Sequence, residues 1–102
     1  ILGSPGGSRI ITAVLQTILN VTVHNMNIQE AVSAPRVHSQ WLPDVIMAES
    51  YSIIKDVETS LINKGHKILP YKNVGDVNAI LINEDGYFGG TDLRGENTAI
   101  GY

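Results

Sequence analysis

Two adjacent glycines, Gly6 and Gly7, stand where a short apolar stretch, Ile1-Leu2, gives way to a long apolar run that begins near Ser8. Glycines at such a junction accept backbone dihedrals closed to other residues, and no side chain shields their N–H groups. At the start of a helix those amides sit at the positive end of the dipole, where an anion is stabilised. Aimed at one point, they would act as catalytic donors to the oxyanion of an acyl-transfer intermediate. The same pair serves equally well as a plain strand-to-helix turn, because glycine punctuates turns everywhere.

Other chemistries fit the stretch less well. A serine two residues before a glycine pair invites a nucleophile reading of Ser4. Nucleophile motifs commonly use the N–H of the following residue in the oxyanion hole, and Pro5 has none. A phosphate loop would need the Lys-Ser/Thr end of a Walker motif or the spaced glycines of a dinucleotide fingerprint, and neither is present. The three histidines, His24, His38 and His66, lack the spacing of a metal site. His38 reads as a hydrogen-bonded structural residue. Asp44 with Arg36, and Asp92 with Arg94, read as pairs that fix loops. No metal and no cofactor is called for.

Positioning the glycine pair falls to the elements around it. Ile10, Ile11, Val14, Leu15, Ile18 and Leu19 follow helical spacing, so a helix is expected from Arg9 to about Val23, with Ser8 as its N-cap. Thr12, Gln16 and Asn20 make only a narrow polar stripe, which predicts a helix buried on most sides. Asn27-Ile28-Gln29-Glu30 is a capping-box pattern that opens a short helix, Ile28 to Ser33, stopped by Pro35. Arg36 to Asp44 reads as an extended loop anchored by Trp41 docking on the core. A strand over Val45–Glu49 and a helix over Ile53–Lys64 follow, the helix capped by Ser50 or Ser52 and ended by Gly65. Then come a short strand near Lys67–Leu69 and a hairpin, Asp76–Ile82 and Tyr87–Thr91, turning at Asn83-Glu84-Asp85-Gly86. Gly89-Gly90 marks a bulge or a close backbone approach. The tail from Asp92 is polar and ordered only by docking. Helices mixed with antiparallel hairpins predict a layered α+β fold.

Several stretches together resemble a known family. Gly3-Ser4-Pro5-Gly6-Gly7-Ser8-Arg9-Ile10-Ile11 is similar to the corresponding stretch of the gamma-glutamyltransferases, which are N-terminal-nucleophile hydrolases. Ala34-Pro35-Arg36-Val37-His38-Ser39-Gln40-Trp41-Leu42-Pro43-Asp44 resembles a second block, in which His-His-Gln-Trp-Leu-Pro-Asp is common; Ser39 departs from it. Asp92-Leu93-Arg94 and the final Gly101-Tyr102 resemble the family's C-terminal end. The blocks fall in family order and cover essentially the whole chain.

The resemblance implies a piece of an αββα sandwich, the C-terminal half of the family's small subunit. The missing upstream half and the large subunit are then its partners. It implies cleavage of a gamma-glutamyl amide, such as that of glutathione, by a threonine freed at a new N-terminus by self-cleavage. The glutamyl group passes to water, an amino acid or a peptide, and Gly6 and Gly7 form the oxyanion hole. That threonine is absent here, and Ile1 has no hydroxyl, so this stretch alone is expected to be inactive. A beta-lactam (cephalosporin) acylase-like amidohydrolase shares the architecture, and a scaffold that only borrows the fold is a reading of another class. Family members are often secreted or periplasmic; the residues themselves point to no compartment.

Composition agrees with this picture. A chain of 102 residues is at most one domain, 1–102, and buries only roughly two thirds of its unfolded surface. A net charge of −3 argues against nucleic acid as partner. There is no cysteine, hence no disulfide framework or thiolate chemistry. The apolar runs are too short to span a bilayer. A chain that opens inside an apolar strand leaves an unpaired edge, which predicts a second copy or a missing neighbour beside it.

Overall fold

The glycine pair joins a two-residue strand to a fourteen-residue helix. In chain order the elements are β1 (Leu2–Gly3), α1 (Arg9–Thr22), α2 (Ile28–Ser33), β2 (Val37–His38), β3 (Ile46–Ala48), α3 (Lys55–Asn63), β4 (Ile68–Pro70), β5 (Asn78–Asn83) and β6 (Gly86–Gly90). They are seen in a computed structural model that describes residues 1–101. Tyr102, part of the expected C-terminal resemblance, lies outside the described residues. The fold is α+β, as expected. The chain, read from its length as one domain, divides into two compact units: Ile1–Ala34 with the segment from Gly75 onward, and Pro35–Val74.

In the first unit a three-stranded antiparallel sheet runs in the order β1-β5-β6, with Leu2 opposite Ala79 and Leu81 opposite Phe88. Alternation along β5 sends Ala79 and Leu81 to one face and Ile80 and Ile82 to the other. The first face carries the core: Ala13 of α1, Ile28 and Val32 of α2, Val77 and Ala79, with Leu2, Val21 and Leu81 packed at its margin. The hairpin turns at Glu84-Asp85, and the Asn83 carboxamide oxygen accepts the Asp85 N–H at 2.9 Å. Gly90 must be glycine for lack of room: a Cβ there would lie 2.8 Å from the Ile28 carbonyl oxygen. The close approach expected at Gly89-Gly90 is therefore the contact between β6 and the first turn of α2.

Helix α2 begins as its sequence predicts. Asn27 Oδ1 accepts the Glu30 N–H at 2.9 Å, and Glu30 Oε2 accepts the Asn27 N–H at 3.0 Å. It stops at Ala34, whose ψ of 140° is the extended conformation a residue before proline prefers.

Helix α1 corrects two expectations. Ser8 occupies the N-cap position with helical dihedrals and makes no side-chain capping bond. The helix is also not buried on most sides: only Ala13 and Thr17 are, while Ile11 is 73% exposed and Leu15 50%. The polar stripe is not the wet face. Thr12, Gln16 and Asn20 are half-buried, and the Asn20 carboxamide donates to the Ala31 carbonyl of α2 at 3.2 Å. Periodicity alone misreads a helix that is apolar on both its inner and its outer side.

In the second unit β2 pairs antiparallel with β3, and β3 pairs parallel with β4. A buried polar knot ties this sheet to the end of its segment. The Glu49 carboxylate accepts the N–H groups of Arg36 (2.9 Å) and Val74 (2.6 Å), and the buried Arg36 guanidinium donates to the Val74 carbonyl at 2.9 Å. Helix α3 starts at Lys55, with Ile54 at its N-cap. Neither Ser50 nor Ser52 caps it; the Ser52 hydroxyl donates to the Glu49 carbonyl at 2.6 Å and closes a preceding turn. At its C-terminus the Gly65 N–H reaches Ile62 O and the His66 N–H reaches Leu61 O, the expected glycine-terminated end.

The expectation that Trp41 docks on the core is wrong. Trp41 is 82% exposed with φ +74°, and backbone and amide hydrogen bonds hold the loop instead. Gln40 bridges it, its Oε1 accepting from His38 Nε2 (2.8 Å) and its Nε2 donating to the Leu42 carbonyl (2.9 Å).

Candidate active site

The glycine turn is built by spending its carbonyls and sparing its amides. Gly6 has φ +131° and Gly7 φ +61°, both in the left-handed half of backbone space. With the chain so turned, the Arg9 N–H reaches the Gly6 carbonyl (3.2 Å) and the Ile10 N–H reaches the Gly7 carbonyl (3.1 Å), forming the first turn of α1. The N–H groups of Gly6 and Gly7 take no partner among the described residues. A trans peptide holds its C=O and N–H on opposite sides. Because the Gly6 carbonyl points into the helix, the Gly7 N–H points away from it.

The electrostatics agree. Helix α1 has no acidic side chain in its first turn, so its positive end is not neutralised from within. Gly7 is exposed and Gly6 half-buried, and a Cβ on Gly7 would meet nothing within 4 Å. Solvent therefore reaches the turn at Gly7, while Gly6 packs against Arg9 and Gly75.

The other candidates fall elsewhere. The Ser4 hydroxyl is spent twice, donating to the Pro5 carbonyl at 2.7 Å and accepting the Asp76 N–H at 2.9 Å, which suits a brace rather than a nucleophile. His38 is buried and bonded to Gln40 in the second unit, as a structural histidine should be. His24 and His66 are exposed beyond the ends of α1 and α3. Asp92 and Arg94 do form a loop-fixing pair, at 2.8 Å. The Asp92 carboxylate also accepts the Val77 N–H (2.7 Å), and Arg94 donates to the Val32 (3.1 Å) and Ala34 (2.9 Å) carbonyls at the end of α2. Among the described residues no group of three His, Cys, Asp or Glu is placed to hold a metal, and no helix is long and apolar enough to cross a membrane. Sequence reasoning missed Ser4 as a brace and Asn97, whose carboxamide donates to the Asp76 carboxylate at 2.7 Å. The one available signal was a small hydroxyl just ahead of the turn.

The turn is thus a glycine-led helix start with two spare amides, on a small antiparallel sheet backed by helices. The family model for gamma-glutamyltranspeptidase matches residues 1–102, and the chain belongs to that family. A glutathione hydrolase proenzyme of Pseudomonas sp. (strain A14) is 39% identical over 114 residues, covering 100% of this chain and 20% of the relative. An acylase ACY 1 proenzyme of Pseudomonas sp. (strain V22) is 41% identical over 101 residues, covering 97% of this chain and 18% of its own length. A crystal structure of a Helicobacter pylori gamma-glutamyltranspeptidase mutant superposes with a TM-score of 0.83 at 50% identity, covering 92% of this chain and 53% of that one. The chain thus spans about a fifth of the length of the curated relatives it matches.

Proposed function

We propose that this chain is the stretch of a gamma-glutamyl amide-cleaving enzyme that supplies the oxyanion hole, with Gly6 and Gly7 N–H groups as donors. The observation that carries it is the turn itself: both glycine carbonyls enter the first turn of α1, and both amides are left over. Donors of this kind favour charge that exists only in the transition state, which raises kcat rather than substrate affinity.

The reaction begins outside this chain. A threonine hydroxyl at a processed N-terminus attacks the gamma-glutamyl carbonyl carbon, and its own α-amino group takes the proton. The carbonyl oxygen becomes an oxyanion facing Gly6 and Gly7. Collapse expels the amine, which takes up the proton, and leaves a glutamyl ester on the threonine. Water, an amino acid or a peptide then attacks that ester and gives its proton to the α-amino group; a second oxyanion forms in the same place and collapses, releasing the glutamyl product and returning the proton to the threonine oxygen. The relatives' description as proenzymes supports a processing step.

The test is an amide-to-ester replacement at Gly7 in the full-length protein, which deletes one donor and keeps the backbone. With a gamma-glutamyl anilide as substrate, kcat per mole of processed enzyme should fall about 10²–10³-fold while KM changes little. Unchanged kcat would refute the assignment. An acylase reading stands beside this one because the ACY 1 relative is as similar as the glutathione hydrolase. Faster turnover of a cephalosporin side-chain amide than of the anilide by the same protein would favour it. Under either reading the isolated chain, lacking the threonine, turns over neither substrate.

A further inference from the structure

We propose that Ser4 is a positioning residue for the oxyanion donors, and that the C-terminal tail holds it in place through Asp76 and Asn97. The proposal rests on the oxyanion-hole reading of Gly6 and Gly7.

Pro5 C=O and Gly6 N–H belong to one planar peptide and point in opposite directions. The Ser4 hydroxyl donates to that carbonyl at 2.7 Å. Pinning the oxygen fixes the direction of the Gly6 N–H. The Arg9 N–H does the same for the Gly7 donor through the Gly6 carbonyl. The helix therefore orients one donor, and a single side chain orients the other.

Ser4 is itself held. Its oxygen accepts the Asp76 N–H at 2.9 Å, so its one proton is directed at Pro5. The Asp76 side chain is clamped from the tail. Asn97 Nδ2 donates to Asp76 Oδ1 at 2.7 Å and to the Asp92 carbonyl at 3.1 Å. The other carboxylate oxygen of Asp76 lies against Gly95 so closely that any Cβ there would collide with it. One residue earlier, Gly75 backs the turn, its Cα 3.8 Å from where a Cβ on Gly6 would lie. Tail, strand lead-in and glycine turn form one connected set of hydrogen bonds whose last member is the Pro5–Gly6 peptide. A donor swung off its line loses transition-state stabilisation without losing ground-state affinity.

The experiment uses the full-length protein with a gamma-glutamyl p-nitroanilide, rates being expressed per mole of processed enzyme. Ser4→Ala should lower kcat about 10- to 100-fold with KM within about twofold. Ser4→Thr, which keeps the hydroxyl, should recover most of the loss. Asn97→Ala should lower kcat less, again at constant KM, and Ser4→Ala/Asn97→Ala should fall no further than Ser4→Ala, as expected of members of one chain. Wild-type kcat in Ser4→Ala, or a loss that Ser4→Thr does not recover, overturns the proposal. If Ser4→Ala is not processed, Asn97→Ala decides, with wild-type kcat overturning it. The Gly7 amide-to-ester variant separates the two levels. If that variant loses kcat and Ser4→Ala does not, only the positioning role falls. If that variant keeps kcat, the oxyanion reading falls and takes this proposal with it.

Discussion

Gly6, with φ +131°, occupies backbone space that side chains rarely enter, and an added Cβ would also touch Arg9 and Gly75 at 3.8 Å. On the proposed oxyanion role, Gly6→Ala should relax the turn and swing the two amides away, and kcat of the full-length protein is expected to fall at nearly constant KM. Asp92 makes a different kind of demand. Its side chain is fully buried, beside an Arg94 side chain only 10% exposed, and it takes the Val77 N–H, the Arg94 N–H and the Arg94 guanidinium. Asp92→Ala leaves a cation without its counter-charge and two backbone donors without their acceptor. The expected loss is about 3–5 kcal/mol, measurable as a lower urea midpoint of the full-length protein. The pairing itself was legible, because Asp92 and Arg94 sit two residues apart in a polar tail. Their further partners, Val77, Val32 and Ala34, lie up to 62 positions away, and no local pattern names them.

At the scale of elements, α2 was readable because its signals are local. A capping box and a terminating proline act within a few residues of where they stand, and the helix occupies the expected Ile28–Ser33. Asn27→Ala should cost about 1 kcal/mol, seen as a small fall in melting temperature. The contact between β6 and α2 allows a sharper comparison. Gly90→Ala drives a methyl into the Ile28 carbonyl and should cost about 1–3 kcal/mol. Gly3→Ala, which meets nothing within 4 Å, should change stability by no more than about 0.5 kcal/mol. Helix α1 was less legible. Its start and length follow from periodicity, but which side faces the core does not, since Ile11 and Leu15 are as apolar as the residues that pack.

On the scale of the molecule, the chain covers about a fifth of its curated relatives, and it shows apolar surface in proportion. Ile11, Leu15 and Ile18 line the outer side of α1, and Ile1, Ile80 and Ile82 the second face of the β1-β5-β6 sheet, all exposed. If the proposed reading of the chain as one stretch of a longer enzyme holds, the segments that the relatives carry beyond the matched stretch are the expected cover. Leu15→Glu should then cost several kcal/mol in the full-length protein, where it buries an unpaired charge, and show as a loss of folded yield. The same substitution in the isolated chain should leave secondary structure unchanged by circular dichroism. Equal effects in both would mean that α1 stays wet in the whole enzyme.

By itself the sequence determined what short-range rules govern: the glycine turn, the capping box, the proline stop, the hairpin, the α+β class and, through its ordered blocks, the family. Tertiary structure alone decided which groups finish each other's hydrogen bonds and which apolar faces meet. It set the Ser4 hydroxyl between Pro5 and Asp76, turned the polar stripe of α1 toward α2, and left Trp41 in solvent. The physical reason is range. Caps and turns are settled by dihedrals and hydrogen bonds within a few residues, whereas partners far apart in the chain are chosen only when the whole surface that competes for them has come together.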